Sequence, residues 1–164
     1  MSNELVIKDN SNVSLLDIRM DSKTYPRLFR YKREDAIFLM SKIVAQAFLY
    51  KGQAADPNNI SFISTSLVDE LLQEEKWGAK NLSMEEIARI VKQAVLTDNE
   101  MYGISVASLY KVIINWCKGD GAKLQREAIE RKRAQESEAL RNSVVAPMLQ
   151  AYTGAFLKDR KINK

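Results

Sequence analysis

Residues 33–52, which read REDAIFLMSKIVAQAFLYKG, constrain the fold more than any other stretch of the chain. Acidic residues Glu34 and Asp35 lie near the start of this run and Gly52 is its last residue, as expected for the first turn and the end of a helix. Its apolar side chains occupy most of the helix circumference: Ile37, Phe38, Met40, Ile43, Val44, Ala47, Phe48 and Tyr50. Such a helix is normally the central one, covered on several sides. The run therefore predicts a helical core.

The sequence predicts one helix that begins at a capping signal formed by Ser83 and Glu86, and another helix before it. These two residues have the S-x-x-E spacing in which hydroxyl and carboxylate satisfy each other's backbone donors, so a helix is expected from there to residue 96. Before it, residues 60–77 have helical spacing and end at Gly78, after a turn at residues 56–59; their β-branched start is also compatible with a short strand.

Two more helices are expected after this one. Ser105 is a natural cap for a helix over 106–118 that ends at Gly119. A charged, solvated helix over 122–146 follows, supported by oppositely charged residues four apart. Pro147 is expected to break or restart it, and a short amphipathic helix then leads into a basic tail.

These segments predict an all-α fold: a single compact bundle of five or six helices with an N-terminal extended arm and a charged C-terminal helix. The arm covers residues 1–32, where Tyr25-Pro26 disfavours helix, and is expected to be partly docked. The helical core covers residues 33–118. The charged helix and basic tail cover residues 119–164 and are expected to pack on the same domain.

Composition excludes several classes of enzyme. The chain of 164 residues has no histidine and one cysteine, Cys117, so neither a disulfide framework nor an ordinary zinc site can form. A glycine-rich phosphate loop is also absent. Cys117 is expected to be a buried structural thiol. We therefore expect no enzymatic activity and no cofactor.

Acidic clusters could in principle hold magnesium, but adjacent acids on an exposed helical face are usually just solvated. The residues in question are Asp69, Glu70, Glu74 and Glu75, and the pair Glu85 and Glu86. We expect solvation rather than metal binding or catalysis for both clusters.

Neither a membrane segment nor an export signal is expected. The longest apolar run, residues 36–40, is far too short to cross a bilayer. The first residues, MSNE, lack the basic-then-apolar order of a secretory signal. The sequence therefore predicts a cytoplasmic protein with no membrane contact.

Positive charge concentrates near the two ends of the chain, which has a net charge of +4. Residues 25–33, YPRLFRYKR, alternate the aromatic residues Tyr25, Phe29 and Tyr31 with the cations Arg27, Arg30, Lys32 and Arg33. Aromatic rings can stack on bases while cations neutralise phosphates, so this stretch is a candidate contact to nucleic acid, with DNA as a candidate partner. The alternative is a linker whose rings dock on the core. A second basic group, Lys158, Arg160, Lys161 and Lys164, forms the tail.

The polar face of the predicted 106–118 helix is the second candidate contact. Ser108, Lys111, Asn115 and Lys118 share this face and could reach bases or phosphates. A helix-turn-helix joins its helices by three or four residues, and the connection from Thr97 to Ile104 is about twice as long. The alternative is the ordinary wet face of an amphipathic helix.

The charged C-terminal region is a candidate protein contact over residues 122–157. Arg131, Lys132 and Arg133 could grip phosphate, or the apolar residues Leu124, Ala128, Ile129 and Leu140 could seat a partner helix. A solvated helix is the alternative. The sequence leaves the oligomeric state open.

A family resemblance rests on three elements: Leu82-Ser83-Met84-Glu85-Glu86-Ile87, then Tyr102-Gly103, then Trp116. A helix with an L-[ST]-x-x-E-I start, a loop carrying Y-G and a helix ending in an aromatic residue resemble small helical proteins of bacterial phages and mobile elements. The resemblance implies an accessory role in DNA replication or maintenance, near helicase loaders or initiators. A protein-interaction adaptor or homo-oligomer without nucleic-acid contact is the alternative function.

Overall fold

The structure is a computed structural model that describes residues 5–8, 11–98 and 101–162, with side chains up to Gly154. Its α-helices are α1 Leu15–Met20, α2 Arg33–Tyr50, α3 Pro57–Gln73, α4 Met84–Thr97, α5 Val106–Lys118 and α6 Asp120–Ile162. Two 3₁₀ turns lie at Leu28–Arg30 and Ala79–Asn81. These residues contain no strand, so the prediction of an all-α fold with five or six helices is confirmed.

The chain divides into two compact units, residues 1–125 and residues 126–164. In the first unit, α2 packs against α3 and α4, and α5 packs against the same two helices. The core between them holds side chains that are almost completely buried: Leu39, Met40, Leu67, Leu71, Ile87, Leu109 and Ile113. The second unit consists of the remainder of α6, a helix of 43 residues.

Local signals in the sequence account for the start of two core helices. The Ser83 hydroxyl accepts from the backbone N–H of Glu86 while the Glu86 carboxylate accepts from the backbone N–H of Ser83, which completes the predicted capping box of α4. Ser105 caps α5, with Ser108 as its reciprocal partner. Gly52, just after α2, has φ +67°, a conformation that favours glycine. The prediction of these helix boundaries is confirmed.

The predicted N-terminal extended arm contains a short helix. Ser14 accepts a hydrogen bond from the backbone N–H of Asp17, and this cap starts α1 at Leu15. Ile18 of α1 is completely buried, and α1 packs against α4. Burial of this apolar residue stabilises a helix too short to persist alone.

The third predicted helix has different ends. It begins at Pro57, inside the stretch predicted as a turn, because proline suits the first helical position, where no N–H is needed. It ends at Gln73 rather than Gly78, and the Glu74 carboxylate there accepts from the backbone N–H groups of Trp77 and Ala79. Gly78, with φ +72°, instead precedes the second 3₁₀ turn.

Pro147 lies inside α6, so the predicted break is wrong. Proline removes one helical hydrogen bond and leaves the Ser143 carbonyl without its usual donor. Because residues 129–154 are all exposed, water can satisfy that carbonyl.

The helix α2 is less enclosed than predicted. One side, including Met40, Val44 and Ala47, is completely buried, whereas Phe38 is 50% exposed and Leu49 is 76% exposed. Apolar residues around a helix therefore did not guarantee neighbours on every side.

The end of α5 packs tightly against the next turn. A Cβ atom at Gly121 would lie 2.6 Å from the Trp116 ring, so only glycine fits there without a shift. Cys117 is buried as predicted, and burial raises the pKa of its thiol to about 11.

No helix in the described part of the chain is long and apolar enough to cross a membrane.

Candidate functional site

The basic, aromatic stretch 25–33, itself part of the first unit, is docked on the segment that leads into α4. The backbone N–H of Leu28 donates to the Leu82 carbonyl at 2.8 Å, and Arg27 pairs with Ser83 in an isolated antiparallel bridge. Leu28 is completely buried and Tyr25 is only 6% exposed. The Tyr25 ring is therefore not presented to a base, which corrects its proposed stacking role.

Arg27 belongs to a buried ion-pair network centred on Glu86. The Glu86 side chain is completely buried and lies 2.8 Å from Arg19 Nε and 3.4 Å from Arg27 Nη1. Arg27 also donates to the Arg19 carbonyl, and burial lowers the pKa of its guanidinium. A buried carboxylate is tolerated when it is paired and hydrogen-bonded, so both arginines serve the fold at this point.

The other residues of the stretch differ in exposure. Arg33 is exposed but donates through two nitrogens to Asp69, at 2.9 and 2.8 Å. Tyr31 is half-buried, and burial raises the pKa of its hydroxyl to about 12. Phe29 is 49% exposed, with the Arg30 guanidinium 5.8 Å from its ring centroid, and Lys32 is exposed. Phe29, Arg30, Lys32 and Arg33 are the exposed members of the stretch, and of these Arg33 is paired with Asp69.

The predicted polar face of α5 is exposed at Lys111, Asn115 and Lys118. Ser108 is half-buried, and its hydroxyl takes part in the α5 cap with Ser105. Its hydroxyl is therefore already engaged. The Lys118 ammonium lies 5.0 Å from the Trp77 ring centroid. The connection from α4 to α5 runs from Asp98 to Ser105, longer than that of a helix-turn-helix. Contact of these residues with nucleic acid stays a prediction.

The acidic residues considered for magnesium do not form one cluster. Asp69 binds Arg33, Glu74 caps the end of α3, and Glu86 binds Arg19 and Arg27. Within residues 5–8, 11–98 and 101–162, no group of three or more acids, cysteines or histidines is placed to hold a metal ion.

The second unit exposes large apolar side chains on α6. We call six of them the apolar stripe: Leu140, Val144, Val145, Met148, Leu149 and Tyr152. They are between 48% and 72% exposed. Sequence reasoning identified Leu140 and the region 122–157 that contains all six, but it did not single out Val144 and Val145, although the spacing of four residues from 140 to 152 is visible in the sequence. The side chains of the predicted basic tail lie outside the described residues.

Comparison of the chain with protein-family models, with curated proteins and with solved structures finds no match.

Proposed function

We propose that the protein is a non-enzymatic helical adaptor that assembles through the apolar stripe of α6, and that the stripe binds the same stripe of a second copy. The exposure of the six apolar side chains is the observation that carries this proposal. Soluble monomers rarely expose contiguous apolar surface of this kind, and its burial is favourable.

The stripe occupies one side of the helix. With 100° between successive residues, Leu140, Val144, Met148 and Tyr152 advance by about 40° each, while Val145 and Leu149 lie beside them. All six therefore fit within about half of the circumference. Between Leu140 and Tyr152 the stripe is about 18 Å long at 1.5 Å per residue, which favours a modest, concentration-dependent association.

Charge acts in two directions on a second copy: Arg133 and Glu138 attract it, whereas Arg141 lies on the same side of the helix as the stripe and is like-charged in both copies. If Val144 and Met148 face the partner at heptad positions d and a of a parallel pair, Arg133 occupies position g and Glu138 occupies position e of the next heptad. Residues at these positions form salt bridges between the helices of a parallel coiled coil. Each copy then supplies a cation and an acid to the other.

Sedimentation of the full chain across a concentration series tests self-association. We expect a monomer–dimer equilibrium that the double substitution Val144→Ser and Met148→Ser abolishes. The matched control, Ala139→Ser with Ala146→Ser, changes the opposite side of the same helix and should still dimerise. A monomer at every concentration, or a stripe variant that dimerises as the original chain does, would contradict the proposal. Circular dichroism checks that both variants retain their helices.

Nucleic-acid association is a second candidate, supported by the exposure of Phe29, Arg30 and Lys32 next to one another. The accessory role in DNA replication that the resemblance implies would need such contacts. Binding to phosphates weakens as salt rises, and each lost phosphate contact lowers the slope by about 0.9 for duplex DNA. Replacing Arg30 and Lys32 by Ser should therefore flatten the slope by up to about 1.8. An unchanged slope would remove this stretch from consideration, and Lys23→Ser serves as a control.

A further inference from the structure

A cavity of about 170 Å³ lies between the N-terminal segment 5–8, α2 and α4. Apolar side chains, an aromatic ring, an acid and several cations line it, among them Val6, Lys42, Tyr50, Glu85 and Lys92. A cavity of about 150 Å³ is large enough to hold benzene, so this one accommodates a single six-membered ring.

Glu85, which lines this cavity, lacks a complete set of hydrogen bonds. Only 4% of the residue is exposed, and its Oε1 atom accepts from the backbone N–H of Lys8 at 3.3 Å. Its Oε2 atom is buried and has no hydrogen-bond partner among the described residues. Burial also raises the pKa of the carboxyl group. A buried acceptor without a donor costs free energy, so a ligand that donates here would relieve it.

Cations line the same cavity. Lys42 Nζ donates to the Leu5 carbonyl at 3.1 Å, and Lys92 Nζ lies 5.7 Å from the Tyr50 ring centroid. A ligand carrying only an amine would be repelled by these lysines. A ligand that also carries an anionic group would be attracted to them.

We propose that this cavity binds a pyrimidine nucleotide with an exocyclic amino group, the cytosine type. On binding, the Glu85 side chain turns so that Oε2, which is closed off from the cavity in this structure, accepts from the amino group; the ring lies against Tyr50, and the phosphate interacts with Lys42 and Lys92. Acidic side chains accept hydrogen bonds from the cytosine amino group, and aromatic side chains stack on exposed bases. A free nucleotide and a single-stranded nucleic acid offer the same chemistry.

The amino group sets the expected specificity. Uracil and thymine place a carbonyl oxygen where cytosine has its amino group, so an acceptor would meet the Glu85 acceptor. We expect cytosine to be preferred on the order of tenfold, within the range of one good base contact. Glu85→Gln retains the shape of the side chain but adds a donor, which removes the reason for the preference.

Calorimetric titration of the full chain with cytidine monophosphate, uridine monophosphate, and oligomers of deoxycytidine and of thymidine tests this site. A cytosine preference with monophosphates that Glu85→Gln abolishes supports a free-nucleotide site. The same preference seen only with oligomers, and again lost in Glu85→Gln, supports a single-strand site. No binding, binding without preference, or a preference that Glu85→Gln retains would overturn the proposal.

Two further variants guard against trivial outcomes. Glu75→Gln removes an exposed acid and should leave the preference unchanged. If Glu85→Gln fails to fold in a thermal melt, Lys92→Ala, at an exposed position, provides the test. It should weaken cytidine monophosphate binding while leaving the weaker binding of cytidine unchanged; equal loss for both would overturn the proposed phosphate contact.

Discussion

The docked N-terminal segment and the exposed part of α6 are both rich in cations and apolar residues, yet their side chains differ in burial. In residues 14–33, Ile18 and Leu28 are completely buried and two arginines pair with Glu86. In residues 129–154 every side chain is exposed. The difference lies in the partners: a buried acid and an apolar core receive the first segment. Composition therefore describes what a segment can bind, and its neighbours determine what remains available.

Removal of the buried acid Glu86 should cause the largest loss of stability. Glu86→Ala leaves Arg19 and Arg27 without their common partner and removes half of the α4 capping box. We expect the free energy of unfolding to fall by about 3–5 kcal/mol, as for other broken buried pairs. Urea denaturation followed by circular dichroism measures it.

The matched substitution in the exposed region is Glu136→Ala. An exposed change of this kind should alter the free energy of unfolding by no more than about 0.5 kcal/mol. Similar losses in the two variants would show that the Glu86 network does not distinguish the two regions.

Two arginines of the same stretch, one paired with the buried acid and one exposed, should contribute differently to stability. Arg27→Ala removes a charged donor from Glu86 and should cost about 1.5–3 kcal/mol, because hydrogen bonds to charged groups are of this strength. Arg30→Ala removes an exposed cation near Phe29 and should cost no more than about 1 kcal/mol. Denaturation curves for the two variants decide the order; a larger loss for Arg30→Ala would contradict the assignment of structural and exposed cations.

Two serines offer a smaller contrast. Ser83→Ala removes a buried cap and should lower the free energy of unfolding by about 1 kcal/mol. Ser143→Ala removes an exposed hydroxyl that donates to the Leu140 carbonyl at 2.8 Å, and should change stability by less than about 0.5 kcal/mol. Thermal melts of both variants measure the difference, which should vanish if the Ser83 cap contributes nothing.

The smallest expected effect is a pH dependence at Glu85. Burial raises the pKa of this carboxyl above its ordinary value of 4.5, so the folded chain binds its proton more tightly than the unfolded chain. Its stabilising contribution is therefore complete below pH 4.5 and is lost as the pH rises through the raised folded pKa. Glu85→Gln should gain stability relative to the original chain as the pH rises from about 4 to about 8.

Urea denaturation at several pH values measures this difference. Glu130→Gln, at an exposed position on α6, should follow the original chain at every pH. A difference between Glu85→Gln and the original chain that does not change with pH would rule out Glu85 as the titrating group.

Local spacing was enough to predict several elements. Ser83 with Glu86, and Ser105 before Val106, placed the starts of α4 and α5, because caps are satisfied within three residues. The burial of Cys117 on α5 was also predicted, and this residue is 7% exposed.

Other features depended on contacts far apart in the chain. Arg19 and Arg27 meet Glu86 from 67 and 59 residues away, so their spacing carried no sign of the pairing. The burial of Tyr25 and the unpaired oxygen of Glu85 also arise where distant segments meet. For the same reason, the nucleic-acid candidates could be chosen by residue type but not by availability.

Residue order alone was therefore sufficient for the helical class, the capped helices and part of the core, since these follow from bonds and packing repeated every few residues. Only the tertiary structure determined which cations pair with the buried acid Glu86 and which apolar side chains stay exposed. Desolvation explains this difference. The free energy of a charge or a methyl group depends on the groups around it, and those neighbours come from distant parts of the chain.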